Sequence, residues 1–103
     1  QLELTEAIKA HMTTSIETLN KFNLDIISVS MVASAQTKKG KDHSLVELVI
    51  NLAHKNSVII KQNDDDLYAA IDMAISRAQK AMRRMHDKDI TSHKDGINEA
   101  KNE

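Results

Sequence analysis

The stretch IISVSMVASAQTKKGKDHSLVELVINLAHKNSVIIKQ, residues 26–62, decides the fold. In its first part Ile27, Val29, Met31 and Ala33 alternate with Ser28, Ser30, Val32 and Ser34, a period of two that suits a strand with one buried face. The alternation resumes over 44–53, with Val46, Leu48, Ile50 and Leu52 on one side and Glu47, Val49 and Asn51 on the other. Thr37 to His43 reads as a polar, Lys-rich loop around Gly40, and His54-Lys55-Asn56 as a short turn. Ser57 to Gln62 then forms a third strand carrying Val58 and Ile60. Strands this close in sequence predict an antiparallel meander.

Working outward, both flanks change to helical spacing. Ile8, Met12, Ile16 and Leu19 recur every three to four residues over 5–21, with Thr5 placed to cap the helix and Glu6 in its first turn. On the other side Leu67, Ile71, Ala74, Ala78, Met82 and Met85 keep one apolar face, and Asp64, Asp65 or Asp66 can cap that helix. Both helices are expected on the same face of the sheet, since nothing else offers an apolar surface to bury. The expectation is an α+β domain over 1–88. From Asp87 onward the run DKDITSHKDGINEAKNE has only two large aliphatics and no period, so 89–103 reads as a flexible polar tail or linker.

Composition narrows the function. One domain's length and 41% hydrophobic content allow one modest core, and only Phe22 and Tyr68 are aromatic. Base stacking is therefore almost unavailable. The absence of cysteine excludes disulfides, thiolate metal sites and cysteine nucleophiles, and agrees with a reducing cytoplasm. No apolar run approaches the roughly 20 residues of a membrane span, and residues 1–22 lack the apolar heart of a secretory signal, so no membrane partner is expected.

A net charge of −1 hides a polarised layout. Arg77, Lys80, Arg83, Arg84 and Lys88 stand against one acid, Asp87, while Lys38, Lys39 and Lys41 stand against Asp42. At 100° per residue Arg77, Arg84 and Lys88 fall within about 40° of one another, with Lys80 about 60° to one side. Such a ridge can meet several phosphates, each contact releasing condensed counterions. The blander reading is a solvated helix face whose C-terminal end favours cations in any case. The hairpin lysines are weaker evidence, because such loops are polar by default.

Other constellations point away from catalysis. His11, His43, His54, His86 and His93 lie in different elements, and pairs such as His86 with Asp89 or Asp42 beside His43 fall at fraying or loop positions, so no metal site is expected. Three adjacent carboxylates at 64–66 cap a helix more readily than they converge on an ion. Tyr68 is expected at the core edge with its hydroxyl in water. No Ser, His and Asp set and no Gly-rich phosphate loop occurs, so neither an enzyme nor a cofactor is expected.

The segment Asp65-Asp66-Leu67-Tyr68-Ala69-Ala70-Ile71-Asp72 resembles the signature that opens the last helix of the ribosome hibernation promoting factors and ribosome-associated inhibitor A proteins, the sigma-54 modulation protein family. Leu4-Thr5-Glu6-Ala7-Ile8, Glu47 and the order helix, three strands, helix support the likeness over residues 1 to about 88. The resemblance implies a β-α-β-β-β-α fold similar to double-stranded-RNA-binding domains, and a protein that occupies the mRNA and tRNA channel of the small ribosomal subunit under stress. Its basic last-helix positions correspond to Arg77, Lys80 and Arg84, with Arg and Lys exchanged at each. Two departures stand out. The family's first strand is expected to be missing here, since Gln1 lies almost on the first helix, and Ser15 and Thr18 occupy places where a cation is common, although Lys9 and Lys21 remain.

The resulting expectation is a non-catalytic, cytoplasmic domain that binds ribosomal RNA through Arg77, Lys80, Arg83, Arg84 and Lys88, with Lys21, Lys38, Lys39 and Lys41 as outlying contacts. The alternative is a protein-interaction module that forms a homo-dimer through an open sheet edge.

Overall fold

A computed structural model describes residues 4–22 and 24–98, the last eleven of these by backbone alone. In order come α1 (Glu6–Glu17), a 3-10 turn (Thr18–Phe22), β1 (Ile26–Lys38), β2 (Lys41–Leu52), β3 (Val58–Asp64) and α2 (Leu67–Asn98). The sheet order is β1-β2-β3 and both pairings are antiparallel. The expected meander and α+β class are observed.

The predicted faces hold in the centre of the sheet. Val46, Leu48 and Ile50 are fully buried and Leu52 nearly so, because β2 has a neighbour on each side and α2 above it. Val58 and Ile60 point the same way from β3. α2 supplies Ala70, Ile71, Ala74, Ile75, Ala78 and Met82, and the first helix and its turn add Met12, Leu19 and Phe22. Small alanines on α2 let the helix sit close to the aliphatic sheet.

Two expectations about the strands change. Ile26 pairs with Leu52 but Ser28 pairs with Asn51, so an extra residue interrupts the ladder and turns Ile27 outward, 69% exposed. Ile26 takes its place against the core. The Thr37–His43 loop is also shorter than its polar composition suggested. Lys38 pairs directly with Lys41, leaving Lys39 (φ 53°) and Gly40 (φ 78°) as a two-residue turn. Positive φ at both central positions matches the twist of paired strands, so the ladder runs on through residues that lack apolar alternation.

The helix starts obey capping chemistry. The Thr5 hydroxyl accepts the Ile8 N–H at 3.2 Å, and Asp66 accepts the Ala69 N–H at 3.3 Å. Asp64 accepts the Asp66 N–H and stabilises the turn out of β3. At its other end α2 continues in backbone to Asn98, past the Lys88 limit that apolar spacing suggested. With no proline to stop it, an established helix propagates at little cost per residue.

α2 lies over β2 and β3, and α1 packs beside α2. Coverage therefore thins toward β1, whose inward Val29, Met31 and Ala33 are only half-buried. Among the described residues the outer edge of β1 has no strand partner.

Candidate nucleic-acid interface

The basic residues of α2 divide between two flanks of the helix. Arg77 faces β3, where its Nη1 donates to the Lys61 carbonyl at 2.8 Å and to Gln62 Oε1 at 2.9 Å. Arg83 faces the other way, its guanidinium carbon 5.9 Å from the centroid of the Phe22 ring. Lys80 and Arg84 lie on the exposed arc between them, with no ion pair among the described residues. A cationic band thus wraps the solvent side of α2 from β3 to the 3-10 turn.

Lys21 joins that band through tertiary packing. Its Nζ sits 5.4 Å from the same Phe22 centroid, so the two cationic heads share one aromatic ring. Sequence spacing alone left Lys21 an outlying residue far from the helix ridge. Only the adjacency of Lys21 and Phe22 could have hinted at the arrangement, and adjacency says nothing about Arg83.

The hairpin lysines are not brought to the band. β3 ends at Asp64 opposite Ser44, so the arm bearing Lys38, Lys39 and Lys41 projects beyond it, at the sheet end where α2 begins. Arg77 lies at the level of Lys61 and Gln62, and the rest of the band runs from there away from the hairpin. Asp42, Asp64, Asp65 and Asp66 share the hairpin end. The Lys88 side chain lies outside the described residues.

Several polar pairs clasp the elements that carry the band. His11 Nε2 is 2.8 Å from Asp72 Oδ1, and its ring meets Tyr68 edge-on at 5.1 Å. Gln79 donates to the Thr18 hydroxyl at 2.8 Å, which fixes α2 to the end of α1. His43 Nδ1 lies 2.8 Å from Asp65. None of these pairs has local sequence spacing, so each was invisible until the helices packed. Tyr68 stands at the core edge as expected, 38% exposed. Among the described residues no three His, Cys, Asp or Glu side chains gather as metal ligands, and no helix is long and apolar enough to cross a membrane.

This geometry can hold several anionic oxygens along one convex face. The family model described as Sigma 54 modulation protein / S30EA ribosomal protein matches residues 1–90. Solved structures with matching chains include the crystal structure of the Thermus thermophilus Protein Y N-terminal domain, with 25% identity, TM-score 0.64, and coverage of 82% of this chain and 88% of that one. No curated protein matches.

Proposed function

Because the chain belongs to the Sigma 54 modulation protein / S30EA ribosomal protein family, we propose that it is a cytoplasmic ribosome hibernation factor that fills the mRNA and tRNA channel of the small subunit and so inhibits translation under stress. The observation that carries this reading is the cationic band of Arg77, Lys80, Arg83 and Arg84, with Lys21 added, on a chain whose net charge is −1. Concentrating cations on one face gives affinity for a polyanion without indiscriminate attraction elsewhere. Lys88 extends the same helical row in sequence, and Lys38, Lys39 and Lys41 serve as a second, distal contact.

The action is steric. Phosphates of ribosomal RNA are met by cations, and the bound domain occupies space that mRNA and tRNA need. Selectivity for one pocket comes from shape, since A-form grooves offer little base-edge readout and no aromatic ring is presented in a row for stacking. The test is co-sedimentation with purified small ribosomal subunits over a salt series. Binding that weakens steeply with salt supports the reading, and absence of binding at low salt removes it.

A second reading has its own observation. The β1 edge, unpaired among the described residues and with half-buried Val29 and Met31 beside it, suits strand addition by another copy of the chain. Self-association that is insensitive to salt would favour it.

A further inference from the structure

We propose that Phe22 is a positioning residue, whose ring holds Lys21 and Arg83 ready as one paired contact for neighbouring phosphates. The inference rests on the ribosome-binding reading above. Phe22 is 8% exposed and belongs to the core, so its ring is fixed by packing, while both cations remain exposed. Lys21 comes from the 3-10 turn and Arg83 from α2, and Phe22 is the element common to both. Their heads lie at most about 11 Å apart, the sum of their distances to the centroid.

Like charges gathered on one ring repel, and long side chains normally spread into solvent. Neither cation has an acidic partner among the described residues. The electron-rich ring supplies the offsetting attraction. A pair already gathered loses less side-chain freedom when a phosphate arrives, so the ring contributes to affinity without touching RNA. Core filling alone requires only an apolar side chain at this position. The ring's quadrupole is what distinguishes a positioning role from a packing role.

The experiment replaces Phe22 in the full 103-residue chain with mono-, di- and trifluorophenylalanine, which weakens the quadrupole in steps while nearly preserving shape. Affinity for purified small ribosomal subunits is measured at about physiological salt beside the melting temperature. The expected result is a stepwise loss reaching about three- to tenfold for the trifluoro ring, with melting unchanged to within a few degrees. Arg83→Gln should then lose less affinity on the trifluoro background than on the unsubstituted chain. Flat or rising affinity across the series, in a chain that binds subunits tightly, overturns the positioning role alone. An unsubstituted chain that fails to bind subunits overturns the ribosome reading and this inference with it.

Discussion

Arg77 on α2 donates to the main-chain carbonyl of Lys61 on β3 at 2.8 Å, so a residue of the cationic band also straps the long helix to the sheet edge. The same nitrogen donates to Gln62 Oε1. Arg77→Ala should therefore lower the melting temperature by a few degrees, the scale of one or two exposed hydrogen bonds. Lys80→Ala, which removes no such bond among the described residues, should leave it unchanged. Thermal melts of the two variants side by side check this, and equal melting would mean that the strap contributes nothing.

Lys80 and Arg84 are exposed on the arc between the two flanks, so charge reversal there separates binding from folding. The Lys80→Glu, Arg84→Glu double variant should fold normally and lose ribosome association. If each cation neutralises one RNA phosphate, the double alanine variant should flatten the slope of log affinity against log salt by about 1.4 to 1.8. An unaltered slope in a folded variant removes these two residues from the interface.

At the hairpin, Gly40 adopts φ 78° and nothing lies within 4 Å of the position a Cβ would take. The cost of Gly40→Ala is therefore conformational, about 1 kcal/mol, with no steric clash added. Lys39→Asn should act oppositely, since Asn tolerates the φ of 53° better than Lys does. Chemical denaturation of both variants measures the two signs. The Asn variant also removes one hairpin charge, so its subunit affinity reports whether the distal lysines take part in binding.

The edge of β1, open among the described residues, has a measurable consequence. A version of the chain extended ahead of Gln1 by a strand that pairs with this edge should melt higher and remain monomeric at concentrations where the 103-residue chain self-associates. New pairing satisfies edge N–H and C=O groups and covers Val29 and Met31 at about 25 cal/mol per Å² of apolar surface. Sedimentation and melting of both versions at matched concentration decide the matter. Equal stability with both monomeric would show that the edge costs the chain nothing.

The sequence by itself determined the order of the elements and the buried sides of β2 and α2. Val46, Leu48 and Ile50 alternate strictly, and Ile71, Ala74, Ala78 and Met82 follow one helical stripe, because local periodicity and core burial demand the same residues. Thr5 and the three aspartates at 64–66 announced helix starts for an equally local reason, a side chain meeting an amide three residues on, and the structure gives the second role to Asp66. It was tertiary packing that turned Ile27 outward at a bulge and drew the ladder through Lys38 and Lys41, since strand pairing takes priority over polar composition. The candidate site was divided in the same manner. Sequence placed Arg77, Lys80, Arg83 and Arg84 on one helix. Their assignment to two flanks, the gathering of Lys21 with Arg83 at Phe22, and the distance of the hairpin lysines depend on residues remote in the chain. Charge carries no local period, so where cations converge is set by the packing of the elements that bear them.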